Sequence, residues 1–218
     1  MCGVPIRNEG PRYDNITIIM GVISGFFVLL RLGFKMFAIK VDLGLDDWLI
    51  LVTILSGVPS SILAVHGTVA NGLGQDIWTL QYDMITNFGK SFYAMTILYF
   101  AQVTFLKMSL LFFYLQIFPG SLVRLLLRGT IAVNALFGVL FVFLAVFQCN
   151  PISFFWYKWD GEHSGTCLSM NGIAWANAIV SIILDCWMLG LPLWQLKSLQ
   201  LNWKRKLGVG IMFSTGAL

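Results

Sequence analysis

Apolar residues fall along this chain in runs long enough to cross a bilayer, with polar residues gathered into the segments between them. Full-length runs occupy residues 15–39, 47–66, 91–118, 125–148 and 172–196, and a further one begins at 207 and ends with the chain at Leu218. A helix rises about 1.5 Å per residue and a hydrocarbon core is about 30 Å thick, so roughly 20 apolar residues make a span. By the same measure the run from 207 reaches only about 18 Å, and a sixth helix is expected to be cut short. The pattern therefore predicts an all-α integral membrane protein with five full spans and part of a sixth. A polar tail is expected over 1–14 and a membrane domain over 15–218. The segment 67–90 is too polar to span, and its portion DIWTLQYDMI, residues 76–85, is expected as a short interfacial helix.

Composition agrees with a bilayer as the solvent: 58% of the 218 residues are hydrophobic and 11% are charged, against about 25% charged in an ordinary soluble domain. The start, MCGVPIRNEG, has no apolar centre, so the first span is expected to direct insertion. The formal charge of +4 comes from basic residues scattered between apolar runs rather than in a stripe, which argues against a nucleic-acid partner. Their distribution speaks instead to orientation. One side collects Lys40, Arg124, Arg128, Lys197, Lys204, Arg205 and Lys206, and the other Arg7, Arg12, Lys90 and Lys158. The richer side is expected to face the cytosol and the N-terminus the outside. Trp48, Trp78, Trp156, Trp159 and Trp203 lie near the expected helix ends or in loops, where an amphipathic ring suits the headgroup zone.

A charge inside a span needs a reason. Lys107 lies 17 residues into the third span counted from Lys90, and Asp185 lies 13 residues into the fifth counted from Gly172. Both helices run in the same direction, so the two charges fall at similar depth. An isolated charge at the bilayer centre costs about 2.5–3.5 kcal/mol on insertion scales, and pairing removes much of that penalty. A Lys107–Asp185 ion pair or water-bridged contact is expected. Its simpler role is to fix helix packing; its sharper one is membership of a ligand site or conformational switch. Arg31 is expected to snorkel to the cytosolic end or to meet Asp46 and Asp47, which suit the start of the second helix as capping carboxylates. The basic run over Trp203, Lys204, Arg205 and Lys206 fits positive-inside topology, and also an anionic leaflet or cytosolic partner.

Cys149 and Cys167 bracket CNPISFFWYKWDGEHSGTC, and on the outer side an oxidising environment allows them to bridge. The loop between them is then a constrained lid. No metal site is expected, because the four cysteines lack close pairing and the two histidines lie far apart. Asn15-Ile16-Thr17 fits a glycosylation sequon too close to the bilayer to be used, and Asn71-Gly72-Leu73-Gly74 reads as a turn. No P-loop, zinc-protease or serine-hydrolase pattern occurs, so an enzyme is not expected. The lysine followed by MSLLFFY does not resemble a retinal-binding segment, and no cofactor is expected.

The stretches CGVPIRN, LGLDDWLIL, VHGTVANGLGQDIWTL, YFAQVTFLKMSLLFFYLQIFP, FQCNPISFFWYKWDGEHSGTC and LDCWMLGLPLWQLKSLQLNWKRKLGVGIMF cover nearly the whole chain in order. As a set they resemble the fungal seven-helix receptor-like proteins of the fungal rhodopsin-domain group, particularly the subset with an upstream cysteine-rich CFEM domain. The resemblance implies a seven-helix receptor-like bundle, here incomplete, in the plasma membrane, of the G-protein-coupled-receptor type, sensing surface or extracellular cues. It does not imply retinal binding. The third span ends in FFYLQIF rather than an acidic-Arg-aromatic triplet, which separates it from the animal receptors. The expected partners are the lipid bilayer, an extracellular ligand and a cytosolic signalling protein. An outer ligand mouth is expected from segments 67–90 and 149–171, with His66, Asp76, Trp78, Trp156, Trp159 and Asp160 as candidate contacts. The competing function is an ion- or proton-coupled transporter or channel, with Lys107 and Asp185 marking its route, and a third reading is an inactive, truncated fragment that merely inserts.

Overall fold

The computed structural model describes residues 8–33, 44–118 and 120–198. Its long helices are α1 (Gly10–Gly33), α2 (Leu45–Ile62), α3 (Tyr82–Ile117), α4 (Ser121–Val146) and α6 (Met170–Ser198), with a single turn, α5 (Phe154–Tyr157), between the last two. A two-residue antiparallel ribbon, β1 (Cys149–Asn150) and β2 (Thr166–Cys167), closes the loop that carries α5. Among the described residues, five helices are long and apolar enough to cross a membrane. The region from 207, the basic residues Lys204, Arg205 and Lys206, and the side chains of Arg31 and Lys197 lie outside the described residues.

The bundle buries a layer of polar groups between apolar ones and turns other apolar groups outward, unlike a soluble protein. Lys107, Ser109, Thr130, Asn134 and Gln148 are buried, whereas Leu136, Val139 and Phe143 stand exposed along one face of α4. In water such an apolar face is an aggregation surface; in a bilayer it is the solvent-compatible one. Backbone groups are satisfied within each helix, which is why helices carry the spans.

α3 is the central element, packing most extensively on α2 and α4. With 36 residues it is about 54 Å long, well beyond a hydrocarbon core. It starts nine residues before the expected boundary at Ser91. The expected interfacial helix over 76–85 is therefore not a separate element. Ile77–Thr79 forms one tight turn, Gln81 is extended, and Tyr82 opens α3. The physical reason lies in a partner far along the chain: Trp159 stacks on Tyr82 at 5.6 Å, and Trp156 lies against Gly89. These contacts hold the polar stretch before Ser91 as helix. α2 likewise outruns its expected end, continuing past Pro59 as a π-helix over Leu63–Val69. It ends in a turn where Gly72 (φ +101°) and Gly74 (φ +80°) occupy the left-handed region that favours glycine. There Glu9 N–H donates to Gly74 O at 3.1 Å, tying the start of α1 to this turn.

Two apolar clusters divide the interior. Phe100, Phe141 and Ala145 pack toward the disulfide end, and Leu111, Tyr114, Phe118, Leu127, Met188 and Leu191 pack toward the opposite end. The polar layer containing Lys107 lies between them.

Candidate functional site

The site is built on α3 and α6. Lys107 is buried, and its Nζ stands 3.0 Å from Asp185 Oδ1. It also donates to Ser181 Oγ at 2.6 Å and Ser181 O at 3.0 Å. An ammonium group has three protons, so these three acceptors saturate it. Ser181 and Asp185 sit four residues apart on α6, one turn above the other, so one helix face supplies all three oxygens. Lys107 is thus held by charge and by hydrogen bonds, the condition under which an intramembrane charge is tolerated. A void of about 30 Å³, the size of one water, adjoins the pair and is lined in part by Thr104, Asn134, Asn177 and Ser181. Asn134 Nδ2 donates to Thr104 O at 3.3 Å, linking α4 to the same layer.

Above the pair a cavity of about 610 Å³ opens between α3 and α6 toward the disulfide end, a volume typical of small-molecule sites. Phe92, Met95, Tyr99 and Phe100 form one wall. Ala174, Ala178, Ser181 and Asp185 descend the other. Small residues opposite large aromatics leave the space. At the disulfide end the cavity meets Gln148, which is 4% exposed and whose Nε2 has no hydrogen-bond partner among the described residues. Leaving a buried donor unsatisfied costs about 1–3 kcal/mol. Gln148 is held there because its carbonyl accepts from Leu168 N–H at 2.8 Å, next to the Cys149–Cys167 disulfide.

The six residues expected at an outer mouth divide into separate groups. Trp156 and Trp159 pack onto the projecting start of α3, with Tyr93 touching both Phe155 and Trp156. Trp78 is largely exposed in the 70–81 turn, Asp76 precedes the tight turn, and His66 belongs to the π-helix. None of the six lines the cavity. Asp160 turns within its own loop: His163 Nδ1 lies 2.7 Å from Asp160 Oδ2, and the His163 ring stacks on Tyr157 at 4.5 Å. Desolvation raises the Asp160 pKa, but hydrogen bonds from Glu162 N–H, the His163 ring and His163 N–H, with the His163 charge, bring it below the ordinary carboxylate range.

Asp46 and Asp47 do more than cap α2. Asp47 Oδ2 accepts from Gly44 N–H at 3.0 Å, as a capping carboxylate does. Asp46, fully buried, instead accepts from Gln116 Nε2 at 2.7 Å, and its carbonyl accepts from Ser109 Oγ at 2.9 Å. The start of α2 and the end of α3 share one face of the bundle, so Asp46 becomes a tie between helices. Gln148 and the small-residue wall of α6 went unread in the sequence. The one signal for the latter is the i, i+4 spacing of Ala174 and Ala178, which continues to Asp185 on the same face.

The fold and its polar interior define a multi-span α-helical membrane protein. Residues 30–218 match the fungal rhodopsin domain, and the chain belongs to that family. It is 30% identical over 154 residues to a SAT4 family membrane protein of Emericella nidulans, a match covering 69% of this chain and 38% of the relative. It is 29% identical over 123 residues to satratoxin biosynthesis SC1 cluster protein 4 of Stachybotrys chartarum, covering 55% of this chain and 44% of that one. The chain thus spans less than half the length of the curated relatives it matches. No solved structure matches.

Proposed function

We propose that this chain carries the ligand-binding part of a receptor-like protein of the plasma membrane, with its N-terminus and disulfide loop outside. A small molecule enters between α3 and α6, and its presence is passed to the cytosolic end through α6. One observation carries this reading: Ser181 and Asp185, which hold Lys107, also line the cavity. A ligand that touches Asp185 competes with or reinforces the ion pair, and so discriminates between two positions of α6. Differential affinity of that kind is what allows a ligand to shift a conformational equilibrium. Below the pair, Met188 and Leu191 pack into the apolar cluster of α3 and α4, so a displaced α6 disturbs the cytosolic half. The excess of Lys and Arg at that end supports the orientation. The sensed cue and the cytosolic partner follow from the receptor reading alone.

Cys186, exposed beside Asp185, supplies the test. With Cys2→Ser leaving Cys186 as the one thiol outside the Cys149–Cys167 bridge, a bimane label on Cys186 reports the surroundings of α6 in proteoliposomes. Lys107→Met is expected to shift its emission, with no proton flux in either protein. Proton flux that disappears in Asp185→Asn would overturn the receptor reading in favour of transport.

A further inference from the structure

We propose that the α3–α6 cavity takes an uncharged, elongated apolar molecule that presents a hydroxyl to Asp185. The inference deepens the receptor reading and rests on the cavity being its ligand site. From Asn171 at the mouth to Asp185 at the floor the cavity follows 14 residues of α6, about 21 Å of helix. Between its ends the walls are mostly aromatic, methionine, isoleucine and alanine side chains, with Thr96 and Asn177 the polar exceptions, so the body of the occupant is largely apolar. The two ends differ in what they ask for.

At the mouth, Gln148 Nε2 is buried without accessible surface, so an occupant of the cavity takes no hydrogen bond from it. At the floor, the Asp185 side chain is 52% exposed while that of Lys107 is 10% exposed. The occupant therefore meets a carboxylate. Lys107 offers it nothing, because its three protons are already engaged by Ser181 and Asp185. A carboxylate or sulfate placed there meets the Ser181 hydroxyl proton as a donor but is repelled by Asp185. A cation leaves a net positive charge in apolar surroundings, since the pair is already neutral. A hydroxyl donates to the open side of Asp185 without either penalty.

Pregnenolone is a suitable probe, being a rigid apolar body with a hydroxyl at one end and a ketone at the other. Progesterone replaces that hydroxyl with a ketone, and pregnenolone sulfate replaces it with an anion. Binding of the three is measured on the full chain in nanodiscs, with the bimane on Cys186 read in the same samples. Pregnenolone is expected to bind saturably, one per chain, with progesterone and the sulfate each roughly tenfold weaker or worse, a loss of about one charged-acceptor hydrogen bond. Ala178→Phe, which fills the cavity and removes no polar group, is expected to abolish saturable binding, while an intact Cys149–Cys167 bridge and an unchanged melting temperature verify folding.

No saturable binding of pregnenolone, binding unaffected by Ala178→Phe, or equal binding of the sulfate would each overturn the proposed ligand chemistry. If the sulfate binds and moves the bimane signal, the receptor reading stands and the ligand class falls. If pregnenolone binds with the expected pattern and the bimane signal stays fixed, the ligand class stands and the receptor reading falls.

Discussion

Lys107 is the residue on which the bundle turns, because its side chain joins two helices that otherwise touch little. Replacing it with Met leaves the Asp185 carboxylate without its cation, and replacing Asp185 with Leu leaves a buried ammonium held only by Ser181. Interhelical polar contacts in membranes are worth about 0.6–2 kcal/mol. Asp185 keeps half its surface exposed, which places the cost of each single change near the lower part of that range, at about 1 kcal/mol. Thermal unfolding of Lys107→Met, Asp185→Leu and the double variant is expected to give a double loss smaller than the sum, since the second change removes an already unpaired group. Additive losses would mean that the two side chains act independently. At this scale a charge inside an apolar run was conspicuous in the sequence, and its depth pointed to Asp185. Gln148 was not conspicuous. A glutamine at the end of a span reads as an interface residue, and only the loop folded over it makes it buried.

Helices were legible as elements because a bilayer demands long uninterrupted apolar runs, but their ends were set elsewhere. The start of α3 depends on Trp156 and Trp159, some seventy residues away in the chain, and no local periodicity carries that information. Close approach of α3 and α4 is another tertiary decision. A Cβ on Gly138 would overlap the Thr104 side chain, whereas one on Gly129, also in α4, meets nothing within 4 Å. Small residues allow such approach in membranes, where dispersion contacts do much of the work of association. Gly138→Leu is expected to destabilise the bundle by about 1–3 kcal/mol through overpacking, and Gly129→Leu to leave its melting temperature nearly unchanged. A thermal-shift comparison of the two variants checks this, and equal melting temperatures would contradict the packing described for the α3–α4 contact.

For the whole molecule, the disulfide is the closure that matters. It joins residues 18 apart in sequence, and chain-entropy arguments assign a loop of that size about 3 kcal/mol. Cys149→Ser is expected to lower the unfolding temperature by an amount that reductant reproduces in the natural chain and does not enlarge in the variant. The family relationship and the class of protein emerge at this scale too, since stretches in order along nearly the whole chain carry them. By itself the sequence determined the solvent, the number of full spans, the membrane-embedded charges and the cysteines able to bridge, because bilayer thickness and charge burial constrain local composition directly. Only the tertiary structure decided that Asp46 ties α2 to α3, that six candidate mouth residues stand apart from the cavity, and that small residues of α6 face aromatic residues of α3 across a space ending on the ion pair. Those facts depend on which faces of separate helices meet, and helix pairing is set by packing between distant segments rather than by the apolar character that all of them share.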